Sequence, residues 1–384
     1  MTEQVFASTD RAQLASILET SLGVTPDTPT MRKHRATSYA LNPEKRVVTS
    51  REIRSDAMLA GSAVVGRSTT GTFDFELSLG GDFDEMIEAT LRGTYQVNLD
   101  LTSVAVIAGN KFQKTGAFAN AVVGQRVYAS GFAQGSNTGW HTITGKTNDD
   151  ITVSTTLTAE PATAQTRVRG KTLRNGVVKR AYSFEQAFLD VNTYLMYRGG
   201  RYGTMNMQIE AEQIIRGSGS MMGMTVQSGL VQFAANYTTP TTAEIVTASE
   251  NLGELTLDGV PISTALRSVN FTVNDNLRMQ TAAGEQYPVG IAYGTQEITG
   301  RMEVYFKDRA MFDLAQAHTS FGLALPISDP TGRGLHVFFP NVKLGAPQQP
   351  VSGVNADVMQ TFDFQAFPDL ATNTYQAQFD IAHS

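Results

Sequence analysis

The chain has 384 residues, enough for two or three domains with cores of their own. At 41% hydrophobic and 17% charged it is globular rather than disordered, and its lack of cysteine excludes disulfides, thiolate metal sites and thiol catalysis. A net charge of −6 argues against wrapping nucleic acid, and without an apolar run of roughly 18 residues or a basic-then-apolar leader it reads as soluble and cytoplasmically made.

In chain order, Arg11 to Leu22 places apolar residues at helical spacing, a weak amphipathic helix, followed by Gly23 and the turn-rich VTPDTPT. Residues 1–34 are therefore expected to form an N-terminal arm. From Arg35, RATSYALN has strand character and leads through Pro43 into RVVTSREIRSDAMLAGSAVVGRSTTG, the pattern of a long hairpin. The segment Gly71 to Gly93, GTFDFELSLGGDFDEMIEATLRG, then states a strand, a turn and a helix. Phe73, Phe75, Leu77 and Leu79 alternate with Asp74, Glu76 and Ser78, the period of a strand with one wet face. Asp82 and Glu85 have capping-box spacing, and Phe83, Met86, Ile87 and Leu91 mark one helical face. A helix start outweighs a metal site for GDFDE.

Residues 104–170 change character to short alternating runs rich in Gly, Thr, Ser and Asn, with turn signals every eight to twelve residues. This block is expected to be a small all-β module inserted with its ends close together. Trp140 beside His141 fits a core-filling ring better than a carbohydrate contact. The interrupted pattern resumes at Lys171, with Tyr182, Phe184, Gln186 and Phe188 on one face. Further on, Met205, Met207 and Ile209 alternate with Asn206, Gln208 and Glu210, and the Gly and Ser residues after Arg216 are expected to bend or bulge the returning strand. Residues 225–261 read as a Thr-rich linker with Pro240 and Pro261.

The strand, turn and helix then reappear. Gly300 to Gly322, GRMEVYFKDRAMFDLAQAHTSFG, aligns without a gap, matching Gly71 to Gly300, Phe83 to Phe312, Asp84 to Asp313 and Gly93 to Gly322. Upstream, Tyr39-Ala-Leu41-Asn42 is set against Phe271-Thr-Val273-Asn274. The chain is therefore read as internally duplicated. One copy comprises residues 35–103 and 171–235, the second residues 236–367, and residues 368–384 form a C-terminal arm.

Catalytic chemistry is not evident. His34, His141, His318, His336 and His383 show no ligand spacing, no phosphate-binding glycine motif occurs, and GSGSMMG lacks nucleophile-elbow spacing. Asp74 with Glu76, and Glu210 with Glu212, are two apart on expected strands and face the same way. An acidic stripe on a sheet is preferred to a glycosidase pair.

EIRSD at Glu52 to Asp56, preceded by TPDTPT and an Arg-led strand and followed by VVGRSTTGTFDFELSLGGDFDEMIEATLRGTY, resembles the tail tube proteins of long-tailed, siphovirus-type bacteriophages. The resemblance continues in FLDVNTYLMYRGGRYGTMNMQIEAEQIIRGSGSMMG and GRMEVYFKDRAMFDLAQAH, and omits the arms and residues 104–170. Ala57 departs from the pattern, standing where a basic residue often follows EIRSD. The resemblance implies a mainly β fold: a duplicated tail-tube β-sandwich or barrel with one flanking helix per copy, plus the inserted module. It implies no cofactor and no enzymatic activity. The partners implied are further copies in trimeric pseudo-hexameric or hexameric rings stacked into a tube, the tape measure protein, tail terminator and tail-tip proteins, and double-stranded DNA passing through the lumen, with no membrane insertion. On that reading Asp74, Glu76, Glu210, Glu212 and Glu303 are expected to line an acidic lumen along which DNA slides without sticking. Loops 54–70 and 277–296, with Arg54, Asp56, Arg67, Gln286 and Tyr293, are expected to stack ring on ring. The other readings are a tail-tip or baseplate hub ring, and a surface adhesin binding glycan through the module around Trp140.

Overall fold

The computed structural model describes residues 6–383 apart from 263, 330, 352, 372 and 373. The fold is mainly β. In chain order the first copy supplies β1 (Ala12–Leu18), β2 (Ala36–Thr49), β3 (Ser62–Glu76), α1 (Asp84–Leu91), β4 (Arg167–Arg174), β5 (Tyr182–Phe188), β6 (Thr193–Glu210), β7 (Arg216–Gly223) and β8 (Thr225–Gly229). The second supplies β9 (Thr256–Leu257), β10 (Leu266–Asn274), β11 (Glu297–Tyr305), α2 (Ala310–Gln316), β12 (Phe321–Ser328), β13 (Gly334–Leu344), β14 (Met359–Phe367) and β15 (Gln378–Ala382).

The two copies pair their strands in the same order. In the first it is β1-β5-β6-β7-β3-β2. In the second it is β9-β12-β13-β14-β11-β10. β6 and β13 each serve two sheets. The first half of β6 lies between β5 and β8, and its second half, past a register shift at Tyr202–Thr204, lies between β7 and β10. The first half of β13 likewise lies between β12 and β15, and its end reaches β14. Because β6 pairs with β10, both copies share one eight-stranded antiparallel sheet, β2-β3-β7-β6-β10-β11-β14-β13.

Strict alternation gives that sheet one apolar face, which buries Phe73, Phe75, Met205, Met207, Phe271, Met302 and Phe362 in a single core with both helices. Gly217 and Gly219 face the same way, and a Cβ there would stand 2.2 and 2.3 Å from the ring tips of Phe75 and Phe73. These glycines make room for aromatic rings; they do not bend the strand, as the sequence had suggested. α1 buries Met86, Ile87 and Leu91 as its spacing requires, but Phe83 is its N-cap and no side chain caps it. The Asp82 carboxylate is instead engaged by the Thr241 amide at 3.0 Å.

Both expected arms carry sheet strands. Arg11 to Leu22 is not a helix: Ala12–Leu18 pairs residue for residue with Tyr182–Phe188, and Leu14, Ala15 and Ser16 are all buried. Tertiary pairing overrides a weak helical period there. Every residue of β15 is buried between β4 and β13, although Gln378 and Asp380 gave that segment a polar look. The register also moves the upstream repeat by two residues. Leu41 and Phe271 are the equivalent pair, each opposite its matched glycine, Gly71 and Gly300. A slip of two leaves the facing unchanged, so periodicity alone could not detect it.

The inserted segment has a separate core of Val104, Phe112, Phe118, Val127, Ile143, Ile151 and neighbours. Its first strand, Leu99–Thr102, pairs with Arg167–Gly170 at the start of β4, so the segment leaves and re-enters at one place.

Candidate functional site

The other face of the eight-stranded sheet is polar and open. Asp74 and Glu76 on β3, Glu210 at the end of β6 and Glu303 on β11 all lie on it, out of phase with the buried positions of their strands. Glu212 does not join them. It sits in the turn between β6 and β7 with φ 62, exposed, so its two-residue spacing from Glu210 carries no strand geometry. The sequence reading missed Glu44, Glu297 and Asp363 on the same face, together with the basic Arg216, Arg301 and Lys343. Strand alternation would have found each of them. Arg301 and Asp363 are directly cross-strand at 4.0 Å and well exposed, and Arg216 lies opposite Glu76. Exposed pairs of this kind contribute little stability. Hydroxyls and amides fill the spaces between, as in Asn206 bonding Thr272 at 2.8 Å and Thr204 bonding Ser220 at 2.6 Å. Two shallow hollows of about 410 and 520 Å³ open on this face.

Behind the sheet, a buried polar lock joins the copies where β6 meets β10. Asp275 lies 3.1 Å from Arg92, and Gln296 donates to Asp275 at 2.9 Å and to the Thr90 carbonyl at 2.8 Å. Burial pushes the Asp275 carboxyl up to about 7 against the pull of Arg92. Tyr293 belongs to this lock: Arg201 and Arg92 lie 4.9 and 5.4 Å from its ring centre, and its hydroxyl donates to the Arg180 carbonyl. The side chain is therefore turned inward, away from any loop tip.

The β2–β3 hairpin runs past the sheet to a tip held by a two-pronged Arg54–Asp56 ion pair at 2.9 and 2.5 Å. Ile53, Met58 and Leu59 at this tip are 99%, 67% and 80% exposed. Lower on the hairpin, the Arg67 amide donates to the Gln286 carbonyl at 2.7 Å, bringing the two expected loops together.

Trp140 is not on a free surface. Its ring packs 6.0 Å from His336 and 5.5 Å from Tyr128, and a Cβ at Gly334 would stand 2.3 Å from it. It fastens the inserted module to the second copy, so it is unavailable as a sugar platform. The neighbouring His141 is buried in the module, bonded to Thr155 and the Asn137 carbonyl. His336 and Asp380 are both fully buried in the same junction; burial drives the imidazole well below its usual range and the carboxyl up to about 6. Among the described residues no cluster of His, Asp or Glu is arranged for a metal, and no helix is long and apolar enough to cross a membrane.

Two units of like strand order sharing one sheet, with a polar open face and a protruding hairpin, define a mainly β, sheet-built class of protein. Comparison with protein families gives the more specific answer: the profile of the phage tail tube protein family matches residues 9–366. The chain belongs to that family and is a structural component of a bacteriophage tail. A search of curated proteins finds no match.

Proposed function

We propose that three chains close into a ring and that rings stack into the hollow tail tube of a siphovirus-type phage, conducting double-stranded DNA from head to host. The observation that carries this reading is the β6–β10 pairing, by which one copy adds edge to edge onto the other. Repeating that step between chains joins six equivalent units and closes a barrel with no free edge. Register supports where the step falls. Tyr202 faces Met221 as Leu344 faces Phe364, so the residues after β13, Ala346 to Val351, are the counterparts of Thr204 to Ile209 on β6. Gln348 is bonded on one side to Thr361, as Asn206 is paired with Ser218. Its other side would receive β2 of the next chain.

On this reading the polar face lines the lumen, with Asp74, Glu76, Glu210 and Glu303 repelling the DNA backbone and neutral hydroxyls and amides offering no fixed grip. Glu212 would lie at the rim. The hairpin tip with Arg54 and Asp56, and the Arg67–Gln286 contact below it, would meet the adjacent ring, with Tyr293 behind them as support. The tape measure protein would fill the lumen before ejection, and terminator and tip proteins would cap the tube, all made in the bacterial cytoplasm. Negative-stain microscopy with mass measurement tests the reading: three-chain rings or stacked tubes are expected. A stable monomer under all conditions would refute it, and single rings that never stack would indicate a hub.

A further inference from the structure

The first copy carries a strap that has no backbone-paired counterpart in the second among the described residues. Residues 243–248, AEIVTA, run along the end of β3: the Val246 amide donates to the Leu77 carbonyl at 3.0 Å, and its carbonyl accepts from Ile215 at 3.0 Å. Ile245 bridges Ser78 and Thr247 bridges Ile214, so the strap lies between two strand ends. Under it Val246 and Leu77 are 1% and 2% exposed.

The second copy builds the same seat. The Leu77 amide donates to the Ile215 carbonyl at 2.9 Å, and the Phe306 amide donates to the Val358 carbonyl at 2.9 Å. Both pairs hold equivalent places, since Leu77 follows Gly71 by as many residues as Phe306 follows Gly300. Yet Phe306 is 45% exposed, and among the described residues no backbone pair takes the place of Val246.

Strand register identifies the segment equivalent to the strap. Ser16 faces Phe184 as Leu257 faces Leu323, and Phe184 and Leu323 in turn face Tyr197 and Phe339. Counting back equally from Ser16 and Leu257 sets Glu3-Gln-Val5-Phe-Ala7-Ser8 over Glu244-Ile-Val246-Thr-Ala248-Ser249 without a gap, with Glu, Val, Ala and Ser identical. A short helical turn follows in each, at Thr9–Arg11 and Ala248–Asn251. The strap of the first copy is the segment that leads into the copy after it. By the same step, the N-terminal segment leads into a first copy, and in the proposed ring the second copy next to it belongs to the neighbouring chain.

We infer that the N-terminal segment leading into β1, residues 3–8, of which 3–5 lie outside the described residues, docks on the Phe306 and Val358 seat of the adjacent chain in the ring. The inference rests on the ring reading above and names a contact that reading does not require. Strand addition of this kind uses main-chain bonds for affinity and one side chain for fit. It also ties neighbouring subunits by a segment outside the barrel.

The absence of native cysteine makes the test clean. In the full chain, Gln4→Cys with Lys307→Cys, and separately Phe6→Cys with Asp357→Cys, reproduce the bridged pairs Ile245–Ser78 and Thr247–Ile214, where Cβ atoms of opposed strand residues approach to disulfide distance. Ile245→Cys with Ser78→Cys is the control within one chain. Oxidised assemblies of either test pair should run at two and three times the chain mass and return to one chain on reduction, whereas the control stays at one chain. Rings visible by microscopy whose test pairs stay at chain mass would overturn the strap and leave the ring standing. A chain that forms no rings would overturn both.

Discussion

The matched glycines Gly71 and Gly300 allow the packing to be tested with one methyl group. A Cβ at Gly300 would stand 2.2 Å from the ring tip of Phe364 and 2.4 Å from the backbone carbonyl oxygen of Asn270; at Gly71 the nearest atoms are side-chain carbons of Leu41 at 2.3 Å and Met221 at 3.0 Å. A leucine methyl can rotate away, but a carbonyl held in the β10–β11 ladder cannot. Neither glycine has a left-handed φ, so alanine gains about 0.4–1 kcal/mol by restricting the unfolded chain. Overpacking costs about 1–3 kcal/mol. Gly71→Ala should therefore be nearly neutral, losing up to about 1 kcal/mol, whereas Gly300→Ala should lose about 2 kcal/mol or more. Urea unfolding of the unassembled chain, compared by midpoint at equal slope, measures both. Adding Phe364→Leu to Gly300→Ala should not restore stability, because the carbonyl remains. Full rescue, or a Gly71→Ala loss as large as that of Gly300→Ala, would refute the reasoning.

Other outcomes follow from the same structure. Asp380 has a folded pKa of about 6 against 3.8 unfolded, so the folded state holds the extra proton between those values and stability from this group falls as pH rises through them. Asp380→Asn should gain about 2–3 kcal/mol relative to wild type between pH 4 and 7, read from urea midpoints; an unchanged difference would remove burial as the cause. Gly334→Leu should displace the ring of Trp140, the single tryptophan, shifting its emission to the red while far-UV circular dichroism is retained. Reversing Asp74, Glu76, Glu210 and Glu303 to lysine should leave tubes intact but slow DNA delivery in a salt-dependent way, and normal delivery would show that these residues face elsewhere. Deleting residues 51–60 should give rings that fail to stack, measured by sedimentation and microscopy.

Much of the fold was legible because the sheet obeys a period of two. Phe73, Phe75, Met205, Met207, Met302 and Val304 announced their face, and the α1 stripe announced its own. The ends were not legible, for physical reasons. β1 and β15 are buried on both faces, so neither alternates cleanly, and each is a strand only because β5, β4 and β13 are there to pair with it. The polar face was partly legible: alternation placed Asp74, Glu76, Glu210 and Glu303 on it, but a turn at Glu212 broke the period unseen. Tyr293 looks exposed in sequence because it sits in a polar loop, and Trp140, expected to fill the core of its own module, packs instead at the junction with the second copy. Only the tertiary partners, Arg92 and Arg201 for one and His336 for the other, reveal them as internal. The repeat of Glu-x-Val-x-Ala-Ser between the N-terminus and the strap was present throughout, but six residues carry no weight until strand register says they correspond.

On the ring reading, the junction within the chain and the junction between chains have diverged. Within the chain, Arg92, Asp275 and Gln296 form a buried charged lock, made once on folding and held by the connecting peptide. By strand register their counterparts are Phe321, Lys45 and Arg67, a set without an acidic member, so on the ring reading no such ion pair forms between chains. The receiving edge differs as well: Thr204 to Glu210 has a full set of amide donors, but its counterpart contains Pro347 and Pro350, which lack them. Proline at an exposed edge restrains indiscriminate strand pairing. The edge on which the ring reading closes the barrel is thus poorer in ladder bonds than the one inside the chain, and on the inference above the N-terminal segment would add main-chain bonds where the edge has lost them. Removing residues 2–8 should therefore weaken ring closure far more than it weakens folding: the urea midpoint of the monomer should hold while the concentration needed for rings rises at least tenfold. Equal loss in both would mean that the segment serves its own chain.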